Sequence, residues 1–297
     1  MPPRAAYPLV RRQRCSEMQN DSPIELLAAA VPEFLAIAGA FGQLPAAHAN
    51  AHSPAGGTPR IQLATNLWLT CTGVGKVNAA IAATRILISW EARTAGAPRT
   101  KPPLLASLGI AGALPRPNGP VMDSMMGAAS NHAGAQMLDV ILAARSCYAD
   151  EGVQTPDAFI NCWIMGFPLG PFPAEGVPGD PALLGMLPTL RTDAWAATSG
   201  PIATVSTCSG TDALALSVAT RTGAIAEAME GAAIAHAVTL SASTRPAART
   251  ALPRFAELRV ISNTTGNRDT QVWQIKPALQ RLGEAAVVLA EHCITHS

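Results

Sequence analysis

Apolar runs that end in glycine turns alternate with alanine-rich stretches of helical length along much of this chain. That is the pattern of an α/β domain whose helices cover a largely buried sheet. Asn66-Leu67-Trp68-Leu69-Thr70-Cys71 reads as a strand, and Thr72-Gly73-Val74-Gly75-Lys76 turns it into a helix from Val77 to about Trp90. Leu104 to Ile110 is a second strand, ending in Ala111-Gly112-Ala113, and Pro201 to Ser206 is a third. Cys208-Ser209-Gly210-Thr211-Asp212 then offers hydroxyl and carboxylate caps for a helix to about Arg221, with Gly223 where its stop is expected. Ala224 to Val238 is expected as a helix, Glu257 to Ser262 as a fourth strand, and Pro277 opens a last helix to about His292.

The start of the sheet is the least regular part. Tyr7 to Cys15 is expected as its first strand, yet Arg11, Arg12, Gln13 and Arg14 do not suit a buried centre. Either this strand lies at an edge or the sheet begins elsewhere. Periodicity also fades over 38–59, rich in Ala, Gly, His and Pro, and over 115–136, rich in Pro, Met, Asn and Gly. Both are expected as loops or insertions within one domain spanning 1–297. Phe159 to Pro173 is an aromatic, proline-rich loop that either closes over a flat ligand or packs on the surface.

Composition narrows the class. Hydrophobic residues make up 48% and charged residues 14%, which fits a compact globular protein, and a net charge of +1 gives no pull toward nucleic acid. The six cysteines, Cys15, Cys71, Cys147, Cys162, Cys208 and Cys293, form no CxxC pair and have no histidine at ligand spacing. Neither a zinc site nor a disulfide framework follows; no metal or cofactor is implied, and a reducing cytoplasm fits. The apolar stretch Ile24 to Leu44 is interrupted by Glu25, Pro32, Glu33 and Gly39. It falls short of the roughly 18 clean apolar residues of a membrane span. The arginine-bearing N-terminus lacks the apolar run and small-residue cleavage site of a secretory signal and reads as part of the domain.

Candidate chemistry begins at Glu230, which stands among apolar neighbours in Met229-Glu230-Gly231-Ala232-Ala233. A carboxylate there is costly to bury without a partner, and the vicinal diol of a sugar supplies two hydroxyl donors. A helix cap or salt bridge is the structural alternative. Thr72-Gly73-Val74-Gly75-Lys76 lacks the spacing of a phosphate loop, so Lys76 is expected in solvent rather than in catalysis. His236 lies six residues after Glu230, off its helical face, and is expected to pack.

Four blocks in order, Gly73-Val74-Gly75-Lys76-Val77-Asn78-Ala79-Ala80, Gly109-Ile110-Ala111-Gly112-Ala113-Leu114, Met229 to His236 and Arg259-Val260-Ile261-Ser262-Asn263, resemble the nucleoside phosphorylase and nucleosidase superfamily. The resemblance covers most of 66–292. Within that superfamily, Tyr148-Ala149-Asp150-Glu151-Gly152-Val153, Ser206 to Thr211, and Ser262-Asn263 followed by Gly266-Asn267-Arg268-Asp269 and Trp273 look most like the futalosine hydrolases. These nucleosidases release hypoxanthine from futalosine in menaquinone biosynthesis. The resemblance implies a three-layer αβα sandwich around a twisted mixed sheet, a small purine nucleoside as partner, and a homo-oligomer.

It also implies roles. Glu230 matches the carboxylate that binds the ribose hydroxyls, Met229 the residue beside sugar and base, and Gly109-Ile110-Ala111-Gly112 the loop under the nucleoside. Ser262 and Asn263 match the strand-end positions that meet the purine. Adenine-directed nucleosidases carry Asp at the position of Asn263, where a protonated carboxyl can pass its proton to N7. An amide instead donates to N7 or O6 of a 6-oxopurine and steadies the negative charge of a departing hypoxanthine. The family's water-activating carboxylate follows its first strand. Aligned without a gap from Cys15, that position falls on Gln19, with Glu17 two residues earlier. Gln positions water but is not a base. Asp269 and Arg268 either cap the next helix or frame the pocket; Arg268 is the candidate for a substrate carboxylate, and Trp163, Phe167 and Phe172 for stacking.

The expected reaction is dissociative, with an oxocarbenium-like ribose attacked by water while Glu230 acts electrostatically. Three alternatives stay open: a 6-oxopurine nucleoside phosphorylase, a nucleoside-binding relative impaired at Gln19, and an adenine-directed nucleosidase, which Asn263 disfavours.

Overall fold

The computed structural model describes residues 22–43, 59–94, 101–116, 134–243 and 252–295. The expected strand Tyr7 to Cys15 lies outside the described residues, as do Glu17 and Gln19. Among the described residues the first strand is β1, Ile24–Ala28, followed at once by helix α1, Val31–Ala40. The strands β2 (Arg60–Ala64) and β3 (Leu67–Cys71) lead into α2, Lys76–Arg93, and then β4, Leu104–Ala113. After β5 (Val140–Tyr148) come the short strands β6 (Gly152–Gln154), β7 (Phe159–Asn161) and β8 (Val177–Pro178), with α3 at Pro181–Gly185. The chain continues through β9 (Ala197–Thr204), α4 (Asp212–Thr222), β10 (Ala226–Ala228), α5 (Gly231–Ser243), β11 (Arg254–Thr264) and α6 (Ile275–Thr295).

The main sheet runs β10-β9-β5-β11-β4-β1-β3-β2, with β8 paired to β5. It is mixed: β4 lies parallel to both β1 and β11, whereas β5 runs antiparallel to β11. The short β10 pairs with β9 on one side and with the far end of β4 on the other, so five strands close on themselves at one end of an otherwise open sheet.

Side-chain alternation along the strands builds two cores. Ile24, Leu26 and Ala28 of β1, Leu104, Ala106 and Leu108 of β4, and Ala256, Leu258 and Val260 of β11 pack with Ile37 of α1 and with Leu282 and Leu289 of α6. The intervening Leu27, Leu105 and Phe255 turn to the other face and meet Ala83 and Leu87 of α2 and Ile234 and Val238 of α5. Period-two alternation with both faces apolar is what a sheet between two helical layers requires, and the αβα sandwich follows. Ile37 is fully buried, so Ile37→Ala removes packing worth about 2–5 kcal/mol.

Two expectations need correction. Ala224 to Val238 is not one helix: Ala226–Ala228 is a strand, Met229 and Glu230 form a bend, and α5 begins at Gly231. The expected loop at 38–59 begins inside α1, whose last residue is Ala40; 44–58 and 117–133 lie outside the described residues. As expected, Thr211 caps α4 through its Oγ1, and Gly223 stops it in the left-handed region at φ 66°.

Candidate active site

Strand ends from both parts of the sheet meet around one cavity of about 420 Å³, lined among others by Glu33, Ile110, Ala111, Gly112, Met229, Glu230, Ser262, Asn263 and Arg268. The structure therefore brings Glu230 and Asn263 to the same space.

Glu230 is presented by the bend between β10 and α5 rather than by a helix face. Its Oε1 accepts the Gly75 N–H at 3.0 Å, and its Oε2 accepts Nη2 of Arg259 at 3.2 Å. Gly75 sits at φ 93°, a backbone conformation that glycine enters freely, and in it the turn before α2 aims its N–H at the carboxylate. Lys76, one residue on, is turned away and tied to Asp150 and to Glu151 (2.8 Å). Asp150 also accepts the Ser206 N–H, so the lysine staples the ends of β5 and β9 to the start of α2. It is paired rather than solvated.

Arg259 lies beneath the cavity floor with 1% exposure. Its Nε donates to Glu257 at 2.9 Å and its Nη2 to Ser107 at 3.0 Å as well as to Glu230. Burial alone would lower the Arg259 pKa, but the Glu257, Glu230 and Glu33 carboxylates outweigh it and hold the guanidinium firmly charged. Glu257, fully buried and bonded to Ser146, is pushed above the usual carboxylate range by burial, which the neighbouring guanidinium offsets only in part.

Glu33 is the carboxylate that sequence reasoning missed. It stands at the third position of α1, just after β1, and its Oε2 reaches back to the Ala30 N–H at 2.9 Å and the Ala29 N–H at 3.2 Å. Its Oε1 accepts the Ile110 N–H at 2.8 Å, so the side chain bridges the start of α1 to β4 and fronts the cavity. Burial raises its pKa, with Arg259 pulling the other way more weakly. Gly109 lines no part of the cavity but makes this packing possible: a Cβ there would strike Nη1 of Arg259 and lie 2.6 Å from Oε1 of Glu33. The sequence signal was Pro32-Glu33 opening a helix after the buried run Ile24–Ala28.

Ser262 and Asn263 reach the cavity through a β-bulge. Ile261 pairs with Ala111 and Asn263 with Gly112, leaving Ser262 as the extra residue. Ser262 Oγ donates to Oδ1 of Asn263 at 2.9 Å, and Nδ2 of Asn263 donates to the Thr264 carbonyl at 2.9 Å, which leaves one amide hydrogen for the cavity. Arg268 lies over the Trp273 ring at 4.6 Å and bonds Gln271 at 3.1 Å at the cavity rim; Asn267, not Asp269, caps that turn. Phe167 is 69% exposed and lies outside the cavity lining. Trp163 and Phe172 pack on each other at 5.5 Å, and Phe172 on His236 at 5.0 Å, so this loop is pinned to α5.

Among the described residues, three carboxylates, Glu33, Glu227 and Glu230, thus line the cavity beside one guanidinium, that of Arg268. Anionic walls suit hydroxyl and N–H donors and disfavour an oxyanion.

A model of the phosphorylase superfamily matches residues 27–295. A futalosine hydrolase of Acidothermus cellulolyticus is 35% identical over 157 residues, 51% of this chain and 57% of that protein. One from Streptomyces coelicolor is 34% identical over 154 residues, with 51% and 57% coverage. The match spans little more than half the length of these relatives. Among solved structures, an MTAN point mutant of Helicobacter pylori with 5'-methylthioadenosine in its active site superposes with a TM-score of 0.62. It is 15% identical, covering 91% of this chain and 99% of that one, a likeness of fold.

Proposed function

Because the chain belongs to the phosphorylase superfamily, we propose that it is a nucleosidase that hydrolyses the N-glycosidic bond of a 6-oxopurine nucleoside of the futalosine type. The observation that carries the reading is the convergence of Glu33, Glu230 and the Asn263 amide on one cavity. Glu230, its charge balanced by Arg259, accepts the two ribose hydroxyls. As the C1′–N9 bond breaks, the electron pair leaves with the base, and Asn263 donates to N7 or O6 where negative charge develops. Water adds to C1′ from the opposite face, and its proton passes to Glu33, the carboxylate that follows β1. The released base then takes a proton from solvent. Glu33 thus removes the need for either Glu17 or Gln19 to act on water.

In the same reading the products are hypoxanthine and dehypoxanthine futalosine, formed in the cytoplasm on the way to menaquinone, and Met229 and Ser262 flank sugar and base. Arg268 at the rim meets the substrate's carboxylate. The enzyme works as a homo-oligomer, for which the exposed Val77, Ile81 and Ile88 along α2 provide an apolar face.

The phosphorylase alternative is disfavoured by the charge of the cavity, whose described lining sets three carboxylates against one guanidinium and so repels a phosphate. Incubating the protein with futalosine and with inosine, with and without phosphate, tests both. Free hypoxanthine without phosphate is the expected result; a strict phosphate requirement, or no base release from either nucleoside, overturns the proposal.

A further inference from the structure

Glu227 has no part in the reaction as described, yet it lines the same cavity with 5% exposure. Gly112 of β4 pairs with Glu227 of β10 on one side and with Asn263 of β11 on the other. The two residues therefore stand in one row across three strands, about 10 Å apart at two strand spacings. Ser209 fixes the carboxylate, its N–H donating to Oε1 at 2.8 Å and its Oγ to Oε2 at 2.6 Å. Among the described residues no ion pair neutralises it. Each oxygen keeps acceptor capacity, and a buried carboxylate with two donors and no cation is short of partners. What it lacks is a donor from the cavity.

A 6-oxopurine presents acceptors, N7 and O6, along one edge and a donor, N1–H, at the next position around the ring. Adenine carries a lone pair at N1 instead. Asn263 offers a donor and Glu227 an acceptor in one row, complementary to the first base and repelled by the second.

We propose that Glu227 accepts the N1–H of the 6-oxopurine whose N7 and O6 edge meets Asn263, and that this contact sets the choice of base. The assignment rests on the nucleosidase reading, and Ser209 acts as the positioning residue for it.

Calorimetric titration of the full chain with hypoxanthine, 1-methylhypoxanthine and adenine is the test. Hypoxanthine should bind, and the N1 methyl should weaken binding about 10- to 150-fold, the worth of one hydrogen bond to a charged group. Adenine should lose at least as much. In Glu227→Gln the amide can donate to N1 of adenine, so the affinity ratio should move toward adenine by about tenfold or more. A carboxylate that only braces Ser209 would instead weaken all three ligands in parallel and leave their ratios unchanged, which overturns the assignment. Equal binding of hypoxanthine and its N1-methyl analogue by the unaltered chain overturns it too, while leaving the nucleosidase reading in place. No binding of any purine removes the reading and this assignment with it.

Discussion

Glu33→Gln separates the chemistry of the site from its architecture. Glu33 holds three backbone N–H groups through two oxygens, and glutamine keeps only one acceptor oxygen. If the amide nitrogen faces Ile110 one bond is lost and an N–H is set against an N–H, a cost of about 1–3 kcal/mol. Working against that cost, the substitution relieves the desolvation of a buried charge and its repulsion by Glu230, while giving up its weaker attraction to Arg259. The net change in stability is therefore small, on the order of 1 kcal/mol. The catalytic loss is not small: a general base contributes about 10²- to 10⁴-fold, or about 3–5 kcal/mol of barrier. The pH dependence follows from the raised pKa. Glu33 must be ionised to accept a proton, so kcat/KM of the unaltered enzyme should fall as pH drops through a midpoint above 4.5. Stability runs the other way. A raised carboxylate pKa in the folded state favours the protonated native form, so its contribution is full below 4.5 and lost as pH rises through the folded value. Glu257, also raised, adds a slope of the same sign. The variant should lose the acid limb of the rate profile and flatten part of the stability curve, while binding hypoxanthine within about threefold of the parent, as one neutral contact at most is changed. Steady-state kinetics and thermal melts between pH 4.5 and 8 provide the readouts. A variant that keeps its kcat/KM within threefold, or keeps the acid limb, refutes the role of Glu33 as base.

Glu230→Gln should lower kcat/KM for nucleosides by about 10- to 100-fold or more, through the loss of charged bonds to the diol, with the affinity for free hypoxanthine unchanged. A parallel fall in affinity for the base would contradict a sugar-binding role. Arg259→Met leaves Glu257 and Glu230 uncompensated in the interior and should cost about 3–5 kcal/mol, a melting temperature lower by roughly 6–20 °C. The deficit should shrink on acidification as Glu257 takes up a proton; a loss independent of pH would speak against it. Asn263→Asp should shift preference from inosine toward adenosine, since a protonated carboxyl can serve N7 of adenine. An unchanged ratio of kcat/KM would count against the contact with the base.

What the sequence disclosed, and what it hid, follows from where each residue finds its partner. Leu67–Cys71 and Leu104–Ala113 are legible because their burial is almost wholly apolar, and the last helix because its buried apolar residues recur at helical spacing. Ile24–Ala28 is not, because Glu25 interrupts it, and the reason that carboxylate can be buried lies on other strands: Arg60 bonds it at 2.7 Å and Thr70 donates to it. A first strand read at Tyr7 to Cys15 points to Glu17 and Gln19, which lie outside the described residues, and in the sequence alone Glu33 reads only as a break in an apolar stretch. The strand Ala226–Ala228 was hidden for a related reason. Alanine and glutamate favour helix locally, and only pairing with β4 and β9 holds them extended. Glu257 and Arg259 carry a signal of their own: opposite charges two apart in a strand share one face.

The position of the site follows from the same closure that hid β10. Up to Leu108, β4 lies between β1 and β11 in an open parallel sheet, whereas at Gly112 it has turned to meet β10 running the other way. A strand cannot serve both geometries without its neighbours separating, and the gap opens where β1 has ended and α1 begins. Into that gap project the first turn of α1 with Glu33, the bend after β10 with Glu230, and the bulge of β11 with Asn263. The charges gathered there would be untenable alone. Arg259 reaches under all of them because Gly109 has no side chain, so the polar centre is supported by one strand of the sheet that also forms its wall. A carboxylate whose pKa burial raises, beside one held to a guanidinium, gives two acids of unlike character in a single cavity, which is what a base and a diol clasp must be.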